Sequence, residues 1–244
     1  MAAITLVVPI LAGKAEAHAR FCQAILTTRR DEHTRSRRNL GIVRERAWAQ
    51  HLPDGSTGIL MRVEGPGATD FQQAQVRSAD PYDLWFLQQA REINGDSYYD
   101  EPKAPEPGYD INTNAPDQHR EISYLVPVPD DCVDAWWEWT RDLEGTQRME
   151  LLMSRERARI HRETVWMVQL PNLKAAAYYM QGASALDELQ KLFLSHDPFD
   201  RAFSTRAREI YRVDVTEEAS LMPPTLRFAW DADSPSVQQR MPAY

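Results

Sequence analysis

The sequence predicts an α+β fold made of two tandem copies of one unit, and two ungapped internal matches carry this prediction. Residues 36–53 match residues 154–171 at 8 of 18 positions, and residues 78–93 match residues 195–210 at 9 of 16. Unrelated segments of ordinary composition agree at roughly one position in sixteen. Because the two matches keep their order at offsets of 118 and 117 residues, they indicate an internal duplication.

Composition narrows the class of protein further. A chain of 244 residues is long enough for two domains of about 120 residues each. Its 43% hydrophobic and 26% charged residues are ordinary for a globular protein. The net charge of -8 argues against nucleic acid as a partner, because phosphate binding needs a basic surface. The only two cysteines, Cys22 and Cys132, give no disulfide framework or metal-ligand spacing, so we expect buried free thiols and no metal.

The N-terminal apolar run favours a cytoplasmic protein. The run is short and no Lys or Arg precedes it, so it predicts an opening strand rather than a secretory signal. No stretch approaches the length of a membrane span, and we therefore expect no membrane association.

The first copy contains a helix and strand pattern that can be followed in order. The β-rich run 4–10 predicts a buried strand, and residues 15–35, which lack Gly and Pro, predict one helix. Two strands around a Pro-Asp-Gly-Ser turn form a hairpin, and Asp-Pro marks the start of a later helix because Asp is a good N-cap. The remaining predicted elements are the strands 41–52, 58–63 and 108–112 and the helices 69–76 and 81–93.

The second copy repeats this order. Its predicted strands are 123–128, 159–170, 175–180 and 225–230, and its predicted helices are one carrying the stripe Val133 to Leu143 and two at 185–194 and 198–210. The shared order β-α-β-β-α-(α)-β is the ferredoxin-like split βαβ pattern. Its antiparallel sheet has helices on one face only, so two copies can cover each other's open faces. We therefore predict ferredoxin-like repeats at 1–116 and 119–235, a tail at 236–244, and one intramolecular α+β barrel.

Three runs of the first copy resemble a known family. They are Leu-Val-Val-Pro-Ile-Leu-x-Gly-Lys from Leu6, Ser-Arg-Arg-x-Leu-Gly-Ile-x-Arg-Glu-x-x-Trp-x-Gln from Ser36, and Ser-x-Asp-Pro-Tyr-Asp-x-Trp-Phe from Ser78. With the strand order, they are similar to the dimeric α+β barrel superfamily, and most closely to small bacterial proteins of one repeat each. That superfamily includes antibiotic-biosynthesis monooxygenases, polyketide cyclases, stress-responsive barrel proteins and a haem-binding chlorite dismutase group.

The resemblance implies a small-molecule enzyme, but the fold hosts many chemistries. The expected activity is a cofactor-independent monooxygenase or cyclase of secondary metabolism that acts on an aromatic or polyketide-like substrate. A tandem chain would be a monomer with an internal pseudo-dimer, or a homodimer. The alternative is a non-catalytic ligand-binding or structural barrel protein.

Residues shared by both copies favour structural roles. The Asp-Pro pairs at Asp80 and Asp197 predict helix caps, and Arg44 with Glu92 and Arg162 with Glu209 are candidate ion pairs. Arg44 and Trp48 lie four apart in a strand and point the same way. They are therefore either core anchors or, like Arg162 and Trp166, lining residues of a pocket between sheet and helices.

Residues that differ between the copies are the better candidates for function. His161 stands where the first copy has Val43, and Glu163 lies two residues along the same strand face. An imidazole beside a carboxylate predicts a general base whose tautomer Glu163 fixes, with Arg162 or Arg44 as anion stabiliser, although an exposed histidine is the alternative. Candidate substrate contacts are Trp166, Trp136, Tyr178, Tyr179, Trp48 and His33, and a core role is the alternative for the tryptophans.

Haem and a lid are further possibilities. In haem-binding members of the superfamily an axial histidine lies on the second repeat, so His161 or His196 would be the ligand here. Tyr98, Tyr99 and Met222 lie on long connections that would suit a lid over a pocket. The expectation without haem is a protein that uses no cofactor.

Overall fold

The chain forms two compact units, each with one four-stranded antiparallel sheet. The computed structural model describes residues 2–52, 55–96, 106–115, 120–170, 172–182, 190–213 and 224–233. The first unit is Met1–Ala104 with Thr225–Tyr244, and the second is Pro105–Pro224. The predicted lid residues Tyr98, Tyr99 and Met222, the predicted tail 236–244 and most of the predicted helix 185–194 lie outside the described residues.

The first unit has its helices on one face of a four-stranded sheet. In chain order its elements are β1 (Ala3–Ile10), α1 (Ala15–Leu26), α2 (Arg30–Asn39), β2 (Arg44–His51), β3 (Thr57–Glu64), α3 (Phe71–Arg77), α4 (Pro81–Asn94) and, from the end of the chain, β8 (Thr225–Asp231). The strand order in the sheet is β1-β3-β2-β8. These bounds confirm the predicted hairpin and the predicted helix after Asp80.

The second unit repeats this arrangement with strand order β4-β6-β7-β5. A 3₁₀ turn, Asp130–Cys132, precedes its first α-helix, and a helical turn occupies 190–193. The elements are β4 (Glu106–Asn112), β5 (Glu121–Pro127), α5 (Val133–Glu144), α6 (Arg148–Arg157), β6 (Ile160–Leu170), β7 (Leu173–Gly182) and α7 (Pro198–Tyr211).

The last strand of each sequence repeat belongs to the sheet of the other unit. β4 follows α4 in the chain but pairs with β6, whereas β8 closes the chain and pairs with β2. The compact units therefore differ from the sequence ranges 1–116 and 119–235 by this exchange. The repeat pattern could not reveal it, because both copies offer the same edge and the same strand. The pairing of the two sheets into one barrel stays a prediction.

The predicted helix 15–35 is two helices rather than one. α1 ends at Leu26, and the backbone at Thr27 leaves the helical region at φ -121° and ψ -86°. The hydroxyl of Thr27 donates to the carbonyl of Gln23 at 2.7 Å, which offers the chain an alternative to the next helical turn. α2 then starts at Arg30 and brings its polar residues over the sheet. The second copy breaks in the same way between α5 and α6.

Two further expectations concern thiols and membranes. Cys22 and Cys132 are buried free cysteines, as predicted. Within the described ranges, no helix combines the length and apolar character that a membrane crossing requires.

Candidate functional site

A buried polar frame ties α2 and α4 to the sheet of the first unit. Arg37 donates through Nε to Glu45 Oε2 at 2.5 Å, and Ser36 donates to Asp83 Oδ1 at 2.5 Å. The Arg37 guanidinium lies over the ring of Phe86, 4.6 Å from its centroid. All four polar side chains are at most 3% exposed, so their charges are paired in a low-dielectric interior, where an unpaired charge would be costly.

The second unit contains the same frame at matched positions. Arg155 donates through Nε to Glu163 Oε2 at 2.5 Å, and Ser154 donates to Asp200 Oδ1 at 2.5 Å. The Arg155 guanidinium lies 4.3 Å from the ring centroid of Phe203. The frame thus accounts for the Ser, Arg and Glu that the two copies share, and it holds helices on a sheet in both units.

The third partner of the glutamate differs between the units. In the first unit His33 Nε2 lies 3.4 Å from Glu45 Oε2, a long electrostatic contact, and His33 Nδ1 lies 2.7 Å from the Tyr82 hydroxyl. In the second unit the position of His33 is Leu151, and the hydroxyl of Tyr109 donates to Glu163 Oε1 instead. The strand residue in the first unit that corresponds to Tyr109 is Phe228, because Ala47 pairs with Phe228 as Val165 pairs with Tyr109.

Glu45 is ionised in this environment. Burial by itself would raise the pKa of Glu45, but the charge of Arg37 and the contact with His33 outweigh it and lower the pKa to about 2. Burial, together with the charge of Arg37, lowers the pKa of His33 to about 4, so His33 is neutral at pH 7. The frame therefore keeps a carboxylate anion inside the first unit.

Beside Glu45 the first unit contains a cavity of about 60 Å³. This volume is several times the roughly 10–15 Å³ that one water molecule needs. Most of its wall is apolar, and the polar lining residues are His18, Cys22, Glu45, Gln72, Gln75 and Asn94. The apolar wall consists of Leu6, Val8, Phe21, Ile25, Ala47, Ile59, Met61, Phe71, Phe86, Ala90 and Phe228.

The matched positions of the second unit carry larger side chains. Where the first unit has His18 and Asn94, the second has Trp136 and Tyr211, and the indole Nε1 of Trp136 donates to the Tyr211 hydroxyl at 2.9 Å. Where the first unit has Leu6 and Met61, the second has Tyr124 and Tyr178, whose rings stack with centroids 5.0 Å apart. These aromatic side chains belong to the buried core of the second unit.

A bulge in β4, the strand that the second unit receives from the first sequence repeat, makes room for these larger side chains. β4 changes register between Pro107 and Tyr109, and a Cβ atom on the intervening Gly108 would lie only 2.6 Å from the Trp136 ring. Trp136 therefore requires glycine at this point. The corresponding bulge in β8 holds Arg227, and the matched helix position holds the smaller His18, whose pKa the charge of Arg227 lowers.

His18 and Cys22 are the ionisable pair of the cavity wall. The Sγ of Cys22 lies 3.6 Å from His18 Nε2. Burial and then the charge of Arg227 lower the pKa of His18 to about 4, and burial raises the pKa of Cys22 to about 12. At neutral pH the pair is therefore a neutral imidazole and a thiol, and the thiolate needed for nucleophilic attack is absent.

The predicted pair of His161 and Glu163 is not formed. His161 Nδ1 lies 2.7 Å from the carbonyl oxygen of Ala115, whereas Glu163 is bonded by Arg155 and Tyr109. The register of β6 shifts between Ile160 and Arg162, which removes His161 from the regular alternation assumed by the prediction. Arg162 pairs with Asp110 at 3.2 Å, and neither His161 nor Arg162 lines the cavity.

Arg44 and Trp48 face away from the helices rather than toward them. Ala47 and Ala49 belong to the core under the helices, so the alternation of β2 places Arg44 and Trp48 on the other face of the sheet. Trp166 lies on that face in β6 for the same reason, since Val165 faces the helices. The expected pocket between sheet and helices therefore does not include them.

The candidate ion pairs of these strands have other partners. Arg44 contacts Asp231 and Glu64, while Glu92 pairs with Lys14 and Glu209 with Arg206. The ion pairs predicted from the shared positions are therefore wrong. The predicted caps are confirmed, because Asp80 accepts a hydrogen bond from the Tyr82 amide and Asp197 from the Phe199 amide.

The remaining predicted substrate contacts are core residues. Tyr178 donates to or accepts from Tyr211 at 2.5 Å, and Tyr179 on the opposite sheet face donates to Glu121 at 2.9 Å. Trp136 is fully buried, and His33 belongs to the polar frame described above. At the position of the first unit that matches Trp136, the smaller His18 lines the open space.

The two histidines considered for haem differ in environment. His196 is exposed, which does not fit an axial ligand in an enclosed apolar pocket. The carbonyl contact of His161 Nδ1 would orient a ligand ring, but His161 is not part of the cavity wall. Haem therefore stays a prediction that the placement of His196 does not support.

Comparisons with known proteins give two distant structural likenesses. No protein-family model and no curated protein matches the chain. A candidate monooxygenase from Fusobacterium nucleatum subsp. nucleatum ATCC 25586 has a TM-score of 0.47 and 6% identity over 94% of this chain and 93% of that one. An anthrone oxidase-like protein has a TM-score of 0.44 and 11% identity over 97% and 96%. At these values neither likeness says what this chain does.

Proposed function

We propose that the protein is a small-molecule enzyme whose reaction site is the cavity of the first unit. The single observation that supports this is the contrast at matched positions, where His18, Cys22 and Asn94 line open space and Trp136 and its neighbours are packed. Pockets for small molecules are lined mostly by apolar side chains with a few polar groups, and the lining of this cavity has that composition. The second unit would then serve as a scaffold with the same frame.

The proposed reaction is oxygenation by dioxygen, or cyclisation, of a compact aromatic or polyketide-like compound without a cofactor. His18 would accept a proton from the substrate, because its imidazole is in the neutral base form at pH 7. Arg227 is not part of the cavity wall, but its positive charge acts on both His18 and Cys22 and would stabilise the carbanion or phenolate that this proton transfer creates from that distance. His18 and Arg227 thus replace His161 and Arg162 in the proposed mechanism.

Binding without turnover is the second candidate, and a specific observation favours it. A pKa of about 4 makes His18 a weak base, since a catalytic base works best with a pKa near the working pH. In that case His18 would only accept or donate a hydrogen bond to the ligand.

A turnover assay separates the two. Purified protein would be incubated with single-ring phenols and β-dicarbonyl compounds, and oxygen uptake and product mass would be measured. We expect His18→Leu to lower kcat/KM by about 100-fold or more, the usual contribution of a general base, and His161→Ala to leave it unchanged. Turnover that survives His18→Leu and is lost in His161→Ala would overturn the proposal.

A further inference from the structure

Among the described residues, only one of the two carboxylate oxygens of Glu45 has a partner. Oε2 receives the Arg37 Nε hydrogen bond and faces His33, but none of the described residues donates to Oε1. In the second unit both oxygens are used, since Glu163 Oε1 accepts from the hydroxyl of Tyr109. The first unit has Phe228 at that position, and both Glu45 and Phe228 line the cavity.

Gln75 is a second polar group of the cavity wall that has a hydrogen-bond donor to spare. It is 3% exposed, it lines the same cavity, and its Nε2 has no hydrogen-bond partner within the described chain. A buried amide donor of this kind normally has a partner. The mostly apolar cavity therefore offers, among its polar lining residues, one anionic acceptor at Glu45 and one neutral donor at Gln75.

We infer that the ligand of the first unit is a neutral single-ring compound whose hydroxyl group donates to Glu45 Oε1 and takes the place that the Tyr109 hydroxyl has in the second unit. Hydrogen bonds from a hydroxyl to a carboxylate are short and strong. The hydroxyl oxygen can in turn accept from an amide such as Gln75 Nε2. An anionic ligand is disfavoured by the charge of Glu45, and an ammonium would lose its hydration in an apolar cavity. The inference rests on the proposed site but requires no turnover.

Three probes of similar shape test it, namely toluene, anisole and phenol. Toluene offers neither donor nor acceptor, anisole offers an acceptor, and phenol offers both. Dissociation constants for the whole protein would be measured by NMR titration at pH 7. We expect phenol to bind about tenfold more tightly than toluene, as one hydrogen bond to a charged group allows, with anisole between them.

Two cavity variants and one control assign the preference to its residues. Phe228→Tyr gives Glu45 the donor that Glu163 already has, so the advantage of phenol over anisole should disappear. Gln75→Leu should remove the advantage of anisole over toluene. Tyr109→Phe, the matched change in the second unit, should leave all three dissociation constants unchanged.

Equal binding of phenol and toluene by the unaltered protein overturns the inference without reference to any variant. A phenol preference that persists in folded Phe228→Tyr also overturns it. Turnover without a phenol preference would refute this inference alone, whereas a phenol preference without turnover would refute the enzymatic proposal alone.

Discussion

The two units share a polar frame but differ in what fills the space beneath it. Arg37 with Glu45 and Arg155 with Glu163 have the same geometry, each with an Nε to Oε2 distance of 2.5 Å. Below this frame the first unit has a cavity, and the second has Trp136 with four buried tyrosines, Tyr109, Tyr124, Tyr178 and Tyr211. Two sheets of the same strand arrangement thus have different interiors while the groups that hold their helices are the same.

The largest expected effect tests whether the two frames are equivalent. Arg37→Met and Arg155→Met should each lower the free energy of unfolding by about 3–5 kcal/mol, because each leaves a buried carboxylate without its charge partner. Urea unfolding monitored by circular dichroism measures this. Arg206→Met, which removes an exposed pair with Glu209, should change it by less than about 1 kcal/mol. A small cost for Arg37→Met alone would show that His33 can replace the arginine.

A smaller effect should distinguish the two units through the pH dependence of the free energy of unfolding. The pKa of His33 is lowered from 6.5 to about 4 in the folded state, so below pH 6.5 the unfolded chain binds a proton that the folded chain does not. The stability from His33 is therefore complete above pH 6.5 and is lost as the pH falls toward 4. Between pH 7 and pH 5 the loss amounts to about 2 kcal/mol.

His33→Leu copies Leu151 of the second unit and should remove this part of the pH dependence. The measurement is urea unfolding of both proteins at pH 7 and pH 5. His196→Ala, which changes an exposed histidine, is the matched control and should behave as the unaltered protein does. An identical loss of stability in His33→Leu would contradict a neutral buried His33.

The smallest expected effect concerns conversion of the first interior into the second. His18→Trp alone should lower the free energy of unfolding by about 1–2 kcal/mol, because the indole would stand beside the bulge that holds Arg227, where the matched Trp136 has Gly108. Adding Arg227→Gly should recover that loss and fill the cavity. Thermal unfolding and toluene titration check both steps, with Arg227→Gly alone as the control. Retained toluene binding in the double variant would mean that the cavity is not the binding site.

Residue patterns were sufficient for most of the elements and pointed to the positions of the shared frame, but they missed the break in the helix 15–35 and did not find the site. Asp80 and Asp197 were predictable caps because an Asp before Pro acts locally. Ser36 and Arg37 stand among the positions shared with Ser154 and Arg155, and this was the one available signal for the frame. In the sequence, the only feature that distinguishes His18 is that it aligns with Trp136 of the second copy. Its importance depends on open space, which no pattern of residues reports.

By itself the sequence determined that a unit of four strands with covering helices occurs twice, because periodicity, caps and internal identity are properties of neighbouring residues. Tertiary structure alone decided that β4 and β8 are exchanged, since both copies present the same edges. It also decided that His161 and Glu163 separate at a bulge and that the cavity lies in the first unit. The place of the cavity depends on side chains that meet across distant segments, such as Trp136 against Gly108 in the second unit, which no local pattern contains.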